Sequence, residues 1–310
     1  MRIVVALGGN ALLRRGEPMT AENQRKNALL AARALVELAR QHELIITHGN
    51  GPQVGLLALQ SQAYTEVQPY PLDVLGAESQ GMIGYMLEQE LDDLLKQERL
   101  CVTLLTQVEV DPNDLAFQNP TKYIGPIYSK AAAEQLARER GWTVKQDGDS
   151  WRRVVPSPLP RRIFDVKVVE ILLKNGVVVI CGGGGGIPMV FAPHGELVGV
   201  EAVIDKDRVG ALLAESVDAD AYLILTDTDA VYENWGQPEQ RAIKHCSPEA
   251  LLAYTFPAGS MGPKVEAACA FAANTGKTAV IGSLDKAMAV LHGESGTIIA
   301  TMYHGISYHS

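Results

Sequence analysis

Short, continuous apolar runs alternate along the chain with longer segments of helical period. The runs are "RIVVAL" (2–7), "ELIIT" (43–47), "CVTLLT" (101–106), "VVVIC" (177–181), "YLILT" (222–226), "TAVIG" (278–282) and "GTIIA" (296–300). Each is apolar at successive rather than alternate positions, the pattern of strands buried on both faces of a parallel sheet. Between the first two, "AENQRKNALLAARALVELARQ" (21–41) predicts a helix with Leu29, Leu35 and Val36 toward the sheet and Glu22 in its first turn. Strand–helix alternation of this kind predicts an α/β fold: an open, mainly parallel sheet with helices on both faces.

The rhythm breaks between about 111 and 160. Pro112, Pro120, Pro126, Pro156, Pro158 and Pro160 stud this stretch, with a short helix at "KAAAEQLARERG" and a hairpin at "WTVKQDGDSWRRVV" turning on Asp-Gly. A polar, proline-rich excursion between two sheet strands is expected to form an inserted subdomain over 112–160, acting as a lid.

Charge narrows the partners. The 310 residues carry a net charge of −9 with no long block of one sign, so neither nucleic acid nor an acidic membrane is an expected partner. The four cysteines form no C-x-x-C pair, and Cys101 and Cys181 sit inside strand-like runs. That pattern favours a reducing compartment over a disulfide framework. With no signal peptide and no apolar run near 18 residues, the expected location is the cytoplasm.

Three strands end in glycine turns: "GGN" (8–10), "GNG" (49–51) and "GGGGG" (182–186). Ligands of open parallel sheets bind beyond the carboxyl ends of the strands, where helix N-termini and glycine amides point outward, so the three turns predict a shared anion site. Familiar nucleotide motifs are absent. "GNGPQVG" misses the dinucleotide fingerprint by one residue, and "TGKT" (275–278) has Phe271 where a P-loop needs glycine.

Lys130, Lys206 and Lys264 each stand at the start of an expected helix, Lys264 directly after Pro263. A cation there opposes the helix dipole at a cost of roughly 0.3–1 kcal/mol. Three such lysines in a chain with glycine-edged turns point to a phosphate-handling site. Asp205 and Asp207 flank Lys206, one suited to capping the helix and the other to orienting the lysines. His48, beside the second glycine turn, could touch a ligand or hold a structural hydrogen bond. No metal site is read at His304 and His309, and no nucleophile–base arrangement stands out.

Several longer motifs have a counterpart. "VVALGGNALL", "THGNGPQVGLL", "PLDVLGAESQGMIGY", "PTKYIGPIYSK", "RRVVPSP", "VICGGGGGIP", "EAVIDKD", "LTDTDAVY" and "GSMGPKVEA" resemble, in order from residue 2 to about 300, the motifs of the carbamate kinases within the amino-acid kinase fold family. The resemblance implies a three-layer αβα sandwich, a homodimer and a protruding subdomain over the site. It divides the chain into a carbamate-binding lobe of about 1–205 and a nucleotide-binding lobe of about 206–310. It makes Gly8, Gly9 and Asn10 the phosphoryl-binding turn, and Gly49, Asn50 and Gly51 the carbamate-side loop. Lys206 and Lys264 match the phosphate lysines, Asp207 the carboxylate that organises them, and Lys130 the lid lysine. Gly182, Gly183, Gly184 and Gly185 would floor the transfer site, with Asp227, Ala230, Tyr232 and Met261 near the nucleotide. Two departures are visible: Tyr123 where a smaller or cyclic residue is usual, and a longer tail beyond Thr301.

The implied reaction is ATP + carbamate ⇌ ADP + carbamoyl phosphate, with Mg²⁺ on the nucleotide phosphates and no dedicated protein metal site. Because carbamate is already anionic, no general base is required, and catalysis reduces to positioning and charge neutralisation. The alternatives are another small-carboxylate or nucleoside-monophosphate kinase of the same fold, or a non-catalytic sensor of nucleotide or carbamoyl phosphate. Arginine metabolism is the implied setting.

Overall fold

Six of the apolar runs pair as parallel strands in the order Cys101–Thr103, Val178–Ile180, Glu43–His48, Arg2–Leu7, Ala221–Thr226, Thr278–Ser283. The computed structural model describes every residue except Arg15 and Ala258, and only the backbone of Asn10 and Ala11. From Arg2–Leu7 the chain builds the sheet first in one direction and then, from Ala221–Thr226, in the other. The order therefore reverses between these two central strands, and the crevice beyond their carboxyl ends is where such sheets bind ligands. The seventh run departs from the expected parallel pattern: Thr297–Ile299 lies antiparallel to Thr278–Ser283. Arg241–Cys246, Tyr232–Glu233 and Ile306–Tyr308 complete a ten-stranded sheet at that edge. The long tail thus supplies a strand, covering part of an edge otherwise open to pairing.

Both faces of the sheet are covered. Val4, Ala6, Ile45, Val179, Tyr222 and Ile224 face one apolar core, packed on the helices Lys206–Ser216 and Met261–Thr275. Their neighbours Ile3, Val5, Leu7, Leu44, Ile46, Val178, Leu223 and Leu225 face the other, packed on Ala21–Gln41 and Leu72–Leu95. Side chains alternate between faces, so a strand buried on both sides reads as an unbroken apolar run. On helix Ala21–Gln41 the buried stripe runs through Ala28, Ala31, Ala32, Leu35, Leu38 and Ala39. Leu29 and Val36 are only half-buried at its margins: alanines let the helix sit close to the sheet, which moves the stripe off the larger residues. Thr20 caps this helix, its hydroxyl accepting from the Asn23 N–H at 3.2 Å.

The insertion is a three-stranded antiparallel sheet, Lys122–Tyr128, Thr143–Asp147 and Ser150–Val155, with the helix Lys130–Arg140. Its hairpin turns on Gly148 and Asp149, one residue beyond the expected Asp-Gly, with Gly148 at φ +62°. The flanking strands Gln107–Val110 and Pro160–Ile163 belong instead to a four-stranded sheet with Ile187–Phe191 and Leu197–Gly199. Two glycines set how closely the insertion sits on the body, since a Cβ on Gly55 would lie 1.9 Å from the Gly125 Cα. Around them Ile124 and Val155 of the insertion share a small core with Val54, Leu72, Leu75 and Val203.

Candidate active site

Two helices bring their lysines to one carboxylate. Asp205 caps Lys206–Ser216, its Oδ1 accepting from the N–H of Asp207 at 2.9 Å and of Arg208 at 3.2 Å. That cap places Lys206 and Asp207 in the first turn. The second helix begins at Met261, so Pro263 is its third residue, not the first; this position still needs no intrahelical N–H. Lys264 follows one residue later and donates to Asp207 Oδ2 at 3.0 Å, while Lys206 Nζ pairs with Asp207 Oδ1. Arg208 and Glu266 tie the two helices together at 2.7 Å.

The cluster is buried: side-chain exposure is 8% for Lys206, 13% for Lys264 and 3% for Asp207. Burial lowers the pKa of Lys206 to about 8; Asp207 favours its ammonium form, but the neighbouring Lys264 charge adds to the depression. Burial also opposes the charged form of Lys264, yet the carboxylates Asp207, Asp205 and Asp227 outweigh it and hold that pKa above the ordinary lysine value. For Asp207, burial is overcome by Lys206 and Lys264, and its carboxyl is held below the usual range. The result is two ammonium groups on one carboxylate, an arrangement with positive charge to spare for an anion.

Glycine turns surround it. A Cβ on Gly49 would lie 3.2 Å from the Gly9 Cα and 3.4 Å from the Lys206 Cδ, so the first two turns meet over the lysine stem. Gly8 donates to the Leu225 carbonyl at 2.8 Å and Gly49 to the Leu7 carbonyl at 3.2 Å, pinning both turns to the strand ends. Asn10 lies in the helical turn Gly9–Leu12, its side chain outside the described residues. Gly51 opens the helix Gly51–Ala63, and the Asn50 amide donates to Ser79 Oγ at 2.7 Å.

The five-glycine run is less a cradle of amides than a close-packed floor. Gly182, Gly184, Gly185 and Gly186 all have positive φ. Amides of Gly182, Gly185 and Gly186 are committed to Thr106 Oγ1, the Gly182 carbonyl and the Gly183 carbonyl. The missing side chains make room for neighbours: a Cβ would fall 2.4 Å from His48 Nε2 at Gly183, 2.1 Å from Asn50 Nδ2 at Gly184 and 2.2 Å from the Ile204 carbonyl at Gly185. His48 is itself buried, which pulls its pKa down to about 4, and its Nδ1 lies 3.0 Å from the Gly49 carbonyl oxygen. A neutral, wedged imidazole braces the loop and does not titrate near neutrality.

Across the crevice, Asp227 follows the central strand Ala221–Thr226, and Thr226 Oγ1 donates to its Oδ1 at 3.0 Å. Ala230 is buried, Tyr232 is half-buried and donates to Asp229 at 2.8 Å, and Met261 packs at the start of the lysine-bearing helix. Of these, Asp227 acts electrostatically on Lys264, and Met261 begins the helix that carries it. Among the described residues no three His, Cys, Asp or Glu side chains are grouped to hold a metal ion.

Lys130 is not brought to this cluster. Its side chain is 67% exposed, 3.9 Å from Glu134 on its own helix and above the Trp151 ring. The insertion instead reaches the cluster through Lys122, whose Nζ lies 2.6 Å from Asp205 Oδ2. No periodicity marks Lys122 in the sequence, since its partner is 83 residues away. Tyr222 was also missed: its hydroxyl donates to the Asp207 carbonyl at 2.8 Å from beneath the helix. A tyrosine inside a fully apolar strand run was a readable signal, because a buried phenol needs a partner.

Residues 1–283 match the model of the amino acid kinase family. A carbamate kinase of Haemophilus influenzae is 59% identical over 310 residues, covering both chains completely. Among solved structures, carbamate kinase from Giardia lamblia bound to citric acid superposes with a TM-score of 0.91 at 42% identity, over 96% of this chain and 98% of that one. The same enzyme bound to AMP-PNP gives a TM-score of 0.86 at 42% identity, with the same coverage. The chain belongs to the amino acid kinase family, among its carbamate kinases.

Proposed function

We propose that this site moves a phosphoryl group reversibly between ATP and carbamate, with ADP and carbamoyl phosphate as the other pair. The supporting observation is the buried Lys206–Asp207–Lys264 cluster beneath the meeting of the Gly8–Gly9 and Gly49 turns. A carbamate oxygen would attack the γ-phosphorus as the bond to the ADP oxygen breaks, and ADP departs with the electron pair; no proton moves. The obstacle is the approach of two anions. Lys206 and Lys264, held apart by sharing Asp207, would neutralise the transferring group in a site poor in water. Asp227, Ala230, Tyr232 and Met261 would take the nucleotide, with carbamate on the Gly49–Gly51 side and Gly182–Gly185 as the floor. Mg²⁺, when bound, would neutralise nucleotide phosphate charge; its ligands would be phosphate oxygens, because Asp205 and Asp207 are already engaged by lysines.

The insertion would act as a lid that keeps water from the reactive phosphoryl group. Lys130 would join the site only if the insertion moves inward, since here it lies in solvent. A cytoplasmic homodimer using this reaction in arginine metabolism completes the reading. The helix Val166–Lys174 leaves Val168 and Ile171 exposed, and exposed Phe191 meets Phe164 edge-to-face just before it, giving an apolar face for a second copy. No helix of the described residues is long and apolar enough to cross a membrane. The deciding assay couples ATP formation from ADP and carbamoyl phosphate to a reporter, beside a panel of amino-acid and nucleoside-monophosphate acceptors. Turnover of another acceptor but not carbamoyl phosphate overturns the proposal.

A further inference from the structure

We infer that the seam between the insertion and the body holds a second anion site, in which Arg153 and Arg140 take a small oxyanion, a phosphate or a short dicarboxylate. The seam encloses a cavity of about 220 Å³. That is below the roughly 300–1,000 Å³ filled by drug-sized ligands, so a nucleotide is too large and a phosphate or a dicarboxylate fits. The insertion supplies one wall with Arg140, Trp142 and Arg153, and the body the other with Gln62, Leu72 and Glu201. Gln62 belongs to the helix Gly51–Ala63 and stands about 16 Å along it from Gly51. The cavity is therefore apart from the lysine cluster and the glycine turns.

Two guanidinium groups share one indole here. The Cζ atoms of Arg153 and Arg140 lie 4.7 and 5.1 Å from the centroid of the Trp142 ring. An aromatic ring attracts a cation but offers it no lone pair, and two like charges beside one ring repel each other. Arg140 has other support: it ends the helix Lys130–Arg140, where the dipole favours a cation, and it donates to Gln62 Oε1. Arg153 has none. It is half-buried on the strand Ser150–Val155, and among the described residues its guanidinium makes no hydrogen bond and no ion pair. Burial pushes its pKa down against the pull of Glu201 and Tyr128, and the Arg140 charge adds to the depression. Glu201 is the one acid on the cavity wall among the described residues, and it is already engaged. Its Oε1 accepts from the Leu72 N–H at 3.0 Å, at the start of the helix Leu72–Leu95. Two arginines facing one engaged acid leave the cavity positive, and the planar guanidinium fork matches the paired oxygens of a phosphate or carboxylate. Because both walls contribute, the bound oxyanion ties the insertion to the body and favours the docked conformation. Its effect on turnover rests on the lid reading; its binding does not.

The test is calorimetric titration of inorganic phosphate, and separately of malonate, into the full-length protein with its nucleotide site saturated by AMP-PNP. One saturable site is expected, and the anion that binds more tightly names the source. Losing a hydrogen-bonded charge pair corresponds to about 10- to 100-fold in affinity. Arg153→Met should weaken binding by that factor, and Arg140→Gln by about tenfold. Arg153→Lys keeps the charge without the fork and should fall between wild type and Arg153→Met. Hydrogen exchange in the strand Ser150–Val155 should slow when the anion is added to wild type, but not when it is added to Arg153→Met. Selenate soaked into crystals should give its anomalous signal beside Arg153. The inference is overturned if neither anion saturates, or if selenate sits only at the lysine cluster. It is equally overturned if Arg153→Met melts as a folded protein yet binds within about twofold of wild type. Should Arg153→Met fail to fold, unchanged binding by Arg140→Gln overturns it instead. Wild-type enzyme that makes no ATP from carbamoyl phosphate and ADP would refute the phosphoryl transfer and leave this titration untouched.

Discussion

Raising the pH should switch off the cluster without unfolding the protein, because the group that loses its charge first is one that folding had to bury. Lys206 has its pKa lowered to about 8, first by burial, with the adjacent Lys264 charge contributing. In the free enzyme it is about nine-tenths protonated at pH 7 and about 3% protonated at pH 9.5. If the charged form is needed, kcat/KM should bend near pH 8 and fall about 30-fold by pH 9.5. Bound phosphates favour the ammonium, so the corresponding bend in kcat should lie at higher pH. Stability should move the other way over this range. A lysine with a folded pKa below its unfolded value binds fewer protons when folded, so its contribution to stability rises between about pH 8 and the ordinary lysine value. Lys264, with its pKa raised, contributes stability that is lost only above that ordinary value.

The assay should run from ADP and carbamoyl phosphate, because the supply of carbamate from bicarbonate and ammonia is itself pH-dependent. Circular dichroism melting at each pH separates inactivation from unfolding. Lys206→Arg supplies the control: guanidinium keeps its charge throughout, so whatever activity remains should show no bend near pH 8. A kcat/KM that stays flat to pH 9.5 refutes the reasoning, as does the same bend in the arginine variant, which would assign it to another group.

Further tests address the remaining parts of the site. Lys264→Ala should lower kcat roughly 10²–10³-fold, the range for removing one transition-state donor, with circular dichroism unchanged; near-normal turnover would remove it from the chemistry. Lys130→Ala, on a side chain in solvent, should leave melting unchanged and raise KM for carbamoyl phosphate more than KM for ADP. An unchanged KM for carbamoyl phosphate would remove Lys130 from the site. Asp207→Asn leaves two buried ammonium groups without their shared carboxylate and should cost roughly 3–5 kcal/mol of stability, measured by urea unfolding. Gly184→Ala combines a φ of +63° with a Cβ 2.1 Å from Asn50 Nδ2 and should cost about 1–3 kcal/mol. It should also displace Asn50 from Ser79, visible as lost activity even where the protein stays folded.

What could be read beforehand followed from local constraint. A strand buried on both faces must be apolar at every position, so the runs announced the sheet. A lysine in the first turn of a helix opposes the helix dipole, so Lys206 and Lys264 stood out, and the fold brings both to one carboxylate. The antiparallel direction of Thr297–Ile299 was not legible, because a short apolar run carries no sign of its direction. The glycine run shows a subtler limit. Its positive φ values were legible from composition, but not its purpose: whether an absent side chain makes room for a ligand or for a neighbour depends on what the fold brings there. Here the fold brings His48, Asn50 and the Ile204 carbonyl.

The insertion lysines make the same point in its sharpest form. By sequence, Lys130 and Lys122 differ little: both lie in a polar, proline-rich stretch, and Lys130 has the more telling place at a helix start. By structure, Lys130 spends its charge on solvent, Glu134 and the Trp151 ring, whereas Lys122 meets a carboxylate only 11% exposed. Screening by water makes the first interaction weak and the second strong. A helix-dipole argument ranks residues by the cost of placing a charge locally; a site is built by what that charge meets across the fold. Two helices and one insertion strand converge on Asp205 and Asp207, adjacent carboxylates separated by a single lysine. None of it is local: Lys122 and the carboxylate it meets stand 83 residues apart in the chain.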